Sequence, residues 1–191
     1  LEDVARILTF ILEIDRLKAV LRKTRPLAID RAENSAEHSW QVALLAMLLA
    51  SHVREPIDIA RVIEILLVHD IPEIEVGDVI VYAAAGPEQA ARDLFGILPE
   101  PQSARCLALW LEYEERHTAE ARYAYAVDRL MPILHNLQRG GGTWRQFGIS
   151  QDQVLSANAI TGEVLPDVWN DVRAQVVACF DHMAADTAPS D

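Results

Sequence analysis

Apolar residues recur three or four positions apart over most of the chain, which is the spacing of one face of an α-helix. The first such stretch carries Val4, Ile7, Leu8 and Ile11. It continues to Leu21 before Pro26 interrupts it. Nowhere does the chain sustain the alternation with a period of two that is typical of strands. The pattern therefore predicts an all-α protein that begins with a long amphipathic helix.

The second predicted helix begins at Asn34 or Ser35. Asn34 and Glu37 have the spacing of a capping box, in which each residue satisfies a backbone N–H of the other. Residues 40–50 are apolar nearly all round, and a helix without a polar face is expected to be buried. We therefore predict that this helix lies in the centre of the protein.

A third helix has an apolar stripe formed by Ile59, Val62, Ile63, Leu66 and Leu67. Pro72 and Gly77 are expected to end it. Further helices are predicted over residues 87–98, 102–116, 119–138 and 165–183. Glycines predict a flexible link over residues 140–148, and residues 184–191 have the composition of a frayed tail. Residues 1–183 are thus predicted to form one compact single-domain helical bundle.

The amino-acid composition and net charge exclude several classes of protein. Of the 191 residues 51% are hydrophobic, enough for an ordinary core, but no apolar run reaches the length that crosses a bilayer. Two cysteines make no disulfide framework and no signal-like segment precedes Leu1, so a cytoplasmic location is expected; the absent initiator Met suggests a trimmed start. The net charge of -12 argues against a nucleic-acid polymer as partner. Six of the 17 basic residues nevertheless fall within residues 16–31, where they either face water or attract a small anion.

Asp70 is a polar residue that the periodicity places on a buried face. It continues the stripe of the third helix, where an unpaired carboxylate would be destabilising or would take up a proton. The fold must therefore supply an arginine, a set of hydrogen-bond donors or a metal ion. His69 is adjacent, and the two side chains can share one ion near the helix end that Pro72 is expected to set.

Two more polar residues fall on apolar helices. His38 lies in the first turn of the central helix, and Asp128 shares a face with Ala121 and Ala124, whose small side chains let another helix come close. Each has a structural explanation by itself, such as an internal salt bridge or a hydrogen-bonded core residue. Together with His69 and Asp70, they indicate a mixed nitrogen and oxygen site for a divalent ion.

Such a site would hold one ion of Mn, Co, Fe, Ni, Zn or Mg, and would make a bound water acidic enough to react at neutral pH. Two nearby carboxylates are candidates to orient the water and to protonate the leaving oxygen. Glu73 is four residues after His69, and Asp78 directly follows Gly77. Both are equally compatible with being ordinary acids of a loop.

These residues lie in motifs that are specific in combination: Ala-Glu-His-Ser-Trp at 36–40, His-Asp-Ile-Pro-Glu at 69–73, Val-Gly-Asp at 76–78 and Val-Asp-Arg-Leu at 127–130. In these motifs and their spacing the chain resembles the HD superfamily of metal-dependent phosphohydrolases, and within it the 5'-deoxynucleotidase branch. The resemblance covers about residues 8–138.

This resemblance implies a compact helical domain, commonly a homodimer, that hydrolyses deoxyribonucleoside 5'-monophosphates to nucleoside and phosphate. It implies that the metal ligands are His38, His69, Asp70 and Asp128. It also implies that Glu73 handles the nucleophilic water and that Asp78 is a supporting acid near the phosphate.

One element departs from the 5'-deoxynucleotidase pattern. Those proteins resemble one another in an Arg-Trp or Arg-Thr-Gly-Trp element before the first histidine, where Arg holds phosphate and Trp packs against the sugar. Here residues 21–26 read Leu-Arg-Lys-Thr-Arg-Pro, without a tryptophan. Arg22 is expected to contact the phosphate, with Lys23 or Arg25 as substitutes and Thr24 nearest to the lost aromatic. Selection between deoxyribose and ribose is expected to loosen as a result.

Two other functions fit the same residues. One is phosphodiester or pyrophosphate cleavage of another nucleotide, which would share the metal site and differ in the shape of the pocket. The other is a non-catalytic helical dimer that keeps the metal for a structural or regulatory purpose. Outside the motifs, His135 is expected to support the ligands or face solvent, and the tryptophans to pack; these are Trp110, Trp144 and Trp169.

Overall fold

A computed structural model describes residues 1–77 and 86–187. Within these ranges the chain is helical, with one isolated β-bridge and no β-strand, so the predicted all-α class is confirmed. The helices are α1 Glu2–Glu13, α2 Ser35–Leu49, α3 Ile59–Val68, α4 Glu73–Val76, α5 Pro87–Phe95, α6 Gln102–Glu115, α7 Ala119–Gln138, α8 Gly142–Phe147, α9 Gln151–Ala157, α10 Ala159–Val164 and α11 Pro166–Thr187. Two 3-10 segments, Ile14–Ala19 and Ala50–His52, follow α1 and α2.

The main core forms where α3 packs against α2, α6 and α7. The buried stripe of α3 consists of Val62, Ile65 and Leu66, each without solvent exposure. On α7 this core includes Ala124 and Ala126, whose small side chains allow close approach. Because α2, α3 and α7 share this core, polar residues at their adjoining faces are brought together.

A second core cluster fixes α6 from the other side. It joins the 3-10 segment to α1, α5 and α6 through Phe10, Leu17, Phe95 and Trp110. α6 is thus held between two apolar clusters, with Tyr113 on its inner face.

Residues 20–34, between the first 3-10 segment and α2, differ from the predicted continuous first helix. α1 ends at Glu13, the 3-10 segment ends at Ala19, and Leu21 bridges to Asn34 across an open loop. The backbone N–H of Arg22 donates to the carbonyl of Glu33 over 2.8 Å. The apolar spacing alone did not reveal this turn, which carries Arg22 and Glu33 to the start of α2.

The capping box predicted for α2 is confirmed. The Asn34 side chain accepts from the Glu37 N–H over 3.0 Å, and the Glu37 carboxylate accepts from the Asn34 N–H over 2.8 Å. α2 is nevertheless less enclosed than its composition predicts, because one apolar face remains open. Trp40 and Leu48 each keep 64% of their exposure and Met47 keeps 50%.

The glycine-rich segment was predicted as a flexible link, and this expectation is corrected. Between Gly141 and Leu165 the chain forms α8, α9 and α10. These helices are too short to be stable alone, and burial of Trp144, Val154 and Thr161 holds them against the rest of the protein. A further cap, in which Ser150 and Gln153 satisfy each other's backbone, starts α9.

The last helix, α11, runs through Thr187, four residues beyond its predicted end. Of the predicted tail, residues 188–191 lie outside the described part of the chain. Among the described helices, none combines the length and the apolar character needed to cross a membrane.

Candidate metal centre

His38 enters the site from the first turn of α2. The capping box fixes where this helix begins, and one turn later the His38 side chain is fully buried. Its Nε2 lies 2.8 Å from Oδ1 of Asp128, on α7. The two residues are 90 positions apart in sequence and meet because α2 and α7 share the core.

His69 and Asp70 enter from the end of α3. The helix ends at Val68, His69 caps it, and the following turn places Asp70 Oδ1 3.1 Å from His69 Nε2. The His69 Nδ1 lies 2.8 Å from the carbonyl oxygen of Leu66. A bond from Nδ1–H to this carbonyl leaves the lone pair of Nε2 available, which is the usual arrangement of a metal-binding histidine.

Asp128 is the point at which these elements converge. Its Oδ1 also lies 3.8 Å from His69 Nε2, and its Oδ2 accepts a hydrogen bond of 2.9 Å from the Tyr113 hydroxyl. One ligand atom from each of His38, His69 and Asp128 falls within a group no more than 4.8 Å across. Three of the four predicted ligands therefore form a compact group, and Asp70 borders it.

These residues fit a divalent cation. Among the described residues, the buried Nε2 of His69 finds no hydrogen-bond partner, although buried polar atoms are nearly always paired. That atom faces two carboxylates, and imidazole nitrogen with carboxylate oxygen is a donor set that suits first-row divalent ions. Buried histidine and aspartate could thus bind one metal ion here.

The electrostatics of the site support the same conclusion. Burial disfavours a charged imidazole, but the hydrogen bond to Asp128 and the nearby carboxylate of Glu33 outweigh it and raise the pKa of His38 to about 9. Burial would also raise the pKa of Asp128, yet His38 and His69 hold it well below its usual range. The lowered pKa of Asp128 and the raised pKa of the imidazoles show that the site attracts positive charge. A metal ion would therefore compete there with protons.

Two residues of the site were missed by the sequence analysis. Glu33 is buried, with 1% of its side chain exposed, and its Oε2 lies 3.4 Å from Nδ1 of His38. A carboxylate behind a ligating imidazole orients the ring and raises its basicity. Tyr113 of α6 donates to Asp128, and burial raises its pKa well above the usual value, so the phenol keeps its proton. No local pattern marks either residue, because each acts through a partner on another element.

A cleft of about 320 Å³ opens beside the predicted ligands, at the lower end of the size range of small-molecule sites. The residues that line it include His69, Asp70, Glu73, Asp128, Trp110, Tyr125 and Arg129. The carboxylate of Glu73 accepts a hydrogen bond of 2.6 Å from the Ser35 hydroxyl. The predicted acid Asp78 lies outside the described residues.

The basic segment before α2 contains four predicted substrate-binding residues, and one of them lines this cleft. Arg22 lines the cleft and donates to Asp70 Oδ2 over 3.0 Å. Thr24 instead lies behind the centre, where it donates to Glu33 over 2.7 Å. Lys23 faces the ring of Phe147, and Arg25 pairs with Asp30. Burial follows the same division, because Arg22 is half-buried and Thr24 is buried while Lys23 and Arg25 are exposed.

His135 does not join the ligands. It is buried behind Glu33, with its Nδ1 4.0 Å from Glu33 Oε1. Among the tryptophans named above, Trp144 and Trp169 pack in the core of the α7–α11 region. Trp110 packs in the second cluster but also lines the cleft.

In its described residues the protein is a helical domain with a buried group of two histidines and one aspartate. Comparison with known proteins identifies the family to which it belongs. The HD domain family model matches residues 14–169. The chain belongs to the HD domain family, and the resemblance inferred from its motifs is confirmed.

Two solved structures show how far the similarity extends. A predicted metal-dependent phosphohydrolase from Magnetospirillum magnetotacticum MS-1 is 41% identical, with a TM-score of 0.87 and 94% of each chain covered. A conserved hypothetical protein from Pyrococcus furiosus is 20% identical, with a TM-score of 0.63 and coverage of 87% of this chain and 99% of the other. The second likeness concerns the fold alone.

Curated relatives are similar over a shorter stretch. The 5'-deoxynucleotidase HDDC2 of Xenopus laevis is 29% identical over 58% of this chain and 57% of its own length. The human 5'-deoxynucleotidase HDDC2 is 30% identical over 56% of this chain and 54% of its own length. The chain thus spans little more than half the length of these relatives.

Proposed function

We propose that this protein is a metal-dependent phosphohydrolase that converts nucleoside 5'-monophosphates to nucleoside and phosphate. The observation that carries the proposal is the convergence of His38, His69 and Asp128 on one buried point at the edge of a cleft. The similarity to a predicted metal-dependent phosphohydrolase over nearly the whole chain supports the reaction type. The similarity to 5'-deoxynucleotidases over part of the chain supports the nucleotide substrate.

The proposed metal ligands are His38, His69, Asp70 and Asp128. A divalent ion held by them would supply Lewis-acid chemistry, polarising a phosphoryl oxygen and lowering the pKa of a water molecule. The protein contributes the ligand geometry, through Glu33 behind His38 and Tyr113 behind Asp128. It also contributes a partly enclosed cleft in which charges interact more strongly than in water.

Hydrolysis requires water to attack phosphorus while the bond between phosphorus and O5' breaks. In our proposal Glu73 accepts the proton of the attacking water, and the Ser35 hydroxyl holds its carboxylate in place. Arg22 contacts the phosphate from its position beside Asp70. Asp78 is the proposed donor of the proton that the leaving oxygen needs.

Release of inorganic phosphate from a nucleotide panel tests the proposal. We expect hydrolysis of 5'-monophosphates in the presence of Mn²⁺ or another first-row divalent ion, and none by His69→Ala under the same conditions. Phosphodiesters and pyrophosphates belong in the panel. Cleavage of those compounds without action on monophosphates would replace the proposed substrate class with the phosphodiesterase or pyrophosphohydrolase alternative.

The same panel tests sugar selection. No tryptophan follows Arg22, so we expect measurable hydrolysis of ribonucleoside as well as deoxyribonucleoside 5'-monophosphates. The measurement is the ratio of kcat/KM for matched pairs with the same base. Activity confined to the deoxy compounds would contradict this expectation and would point to another side chain that senses the 2'-hydroxyl.

We also propose that the chain forms a homodimer through the open face of α2. Trp40, Leu44, Met47 and Leu48 form an exposed apolar stripe on that helix. Light scattering is expected to give twice the chain mass of 21.3 kDa, and Trp40→Glu is expected to give the single mass. Phe147→Glu, at a half-exposed apolar position on α8, is the matched control that should stay dimeric. A wild-type protein of single-chain mass would contradict the dimer.

A further inference from the structure

Arg129 follows Asp128 on α7 and lines the same cleft. Its Nε is buried, and among residues 1–77 and 86–187 it has no hydrogen-bond partner. Arg129 as a whole is half-buried, and because guanidinium nitrogens can only donate, its buried Nε–H is satisfied only where an acceptor lies within reach. A buried donor without a partner in a folded protein calls for an explanation, and in a binding cleft a role in binding an anionic ligand is a direct one.

The other arginines of the cleft are already engaged. Arg22 donates to Asp70, and its other nitrogens lie 3.6 Å from Glu33 and 3.9 Å from Asp128. The Arg116 guanidinium stacks on the ring of Tyr125, 4.6 Å from its centroid. Arg22 is therefore shared between the carboxylates of the metal centre and any ligand. Arg129 carries no such competing interaction with the described residues.

The net charge of the cleft also indicates that a further cation is needed beside the metal centre. The cleft is lined by four carboxylates, which repel a phosphate dianion; they belong to Asp70, Glu73, Glu114 and Asp128. A single divalent ion offsets two of these negative charges, so further cations are needed to hold a dianion close. An arginine is suited to this because its planar fork binds two phosphate oxygens at once.

We propose that Arg129 binds the phosphate group of the substrate and holds it in the cleft together with Arg22. The inference rests on the proposed function, because it adds a contact to the same phosphate monoester. It assigns to Arg129 a role that the basic segment before α2 was expected to fill alone. It also predicts that inorganic phosphate, the product, binds at this position.

Calorimetric titration of inorganic phosphate into protein loaded with Mn²⁺ tests the assignment. Arg129→Gln is expected to weaken phosphate affinity by about 10- to 100-fold, the usual effect of losing charge-assisted hydrogen bonds. Arg129→Lys keeps the charge but not the fork, and a smaller loss is expected. The matched control is Arg105→Gln, which removes an exposed arginine that pairs with Glu64 on the surface and should leave affinity unchanged.

Metal content is measured on each variant, because weaker phosphate binding can come from the loss of the Arg129 contact or from the loss of the metal. The proposal requires that Arg129→Gln retain its metal while phosphate binding weakens. Unchanged phosphate affinity in this variant would overturn the proposal, and so would a loss of metal that accounts for the weaker binding. Should Arg129→Gln not fold, Arg129→Lys decides, and an affinity equal to that of the wild type overturns the proposal.

The wild-type titration distinguishes this inference from the proposed function. Wild-type protein that binds phosphate and hydrolyses monophosphates, with an Arg129→Gln variant that binds equally well, overturns only the role of Arg129. Wild-type protein that neither binds phosphate nor releases it from any nucleotide overturns both.

Discussion

Asp128→Asn is expected to abolish metal binding and with it phosphate release. Asp128 contacts His38 at 2.8 Å, lies 3.8 Å from His69 and accepts from Tyr113, so it joins α7 to α2, to the end of α3 and to α6. The amide keeps the shape of the side chain but loses its negative charge. Lewis-acid stabilisation contributes several kcal/mol, so its loss corresponds to a fall in kcat/KM on the order of 1000-fold or more.

Metal content and kcat/KM of Asp128→Asn are compared with those of a matched variant. Asp171→Asn makes the same change at an exposed position of α11 and is expected to leave both quantities unaltered. Circular dichroism checks that both variants keep their helices. A fully active, metal-loaded Asp128→Asn protein would show that the metal binds elsewhere, and the proposed function would lose the observation that carries it.

Glu73→Gln is expected to reduce kcat by about 100- to 10,000-fold, the range attributed to a general base, while the metal stays bound. The glutamine can still accept a hydrogen bond from Ser35, so the local structure is preserved, but it cannot take up a proton from water. Phosphate release and metal content are measured on the same preparation.

Glu75→Gln provides the matched control for this change. Glu75 lies on the same short helix α4, but its side chain is 45% exposed and pairs with Arg16 at the surface. We expect it to retain wild-type kcat. A Glu73→Gln protein as active as the Glu75→Gln control would remove Glu73 from the proposed mechanism. Absence of any wild-type activity with metal bound would favour the non-catalytic alternative.

Long helices and local caps could be predicted from the sequence. α7 occupies Ala119–Gln138, the predicted range, because its periodic pattern spans five turns. The start of α2 was predicted through the capping box, a contact between residues three apart. The short helices α8 to α10 were missed, because their stability comes from side chains such as Trp144 that are buried by distant segments.

Some residues of the candidate site could likewise be predicted from the sequence, and others could not. Motifs identified His38, His69, Asp70 and Asp128 as residues to consider, and the expected end of α3 explained how His69 and Asp70 could approach each other. Their spatial convergence with His38 and Asp128 depends on how α2, α3 and α7 pack. The residues behind the site, Glu33 and Tyr113, have no sequence signal because their roles exist only through those partners.

The sequence by itself determined the helical class, the course of the long helices, the family motifs and the residues with suitable chemistry, because these depend on local spacing and residue type. Only the tertiary structure decided which side chains share the cleft. In the folded protein Arg22 lines the cleft, whereas Thr24 and Lys23 make contacts elsewhere. One face of α2 stays exposed, and the Nε of Arg129 has no hydrogen-bond partner among the described residues. The physical reason is that burial and pairing depend on segments far apart in the chain, whose packing no local pattern specifies.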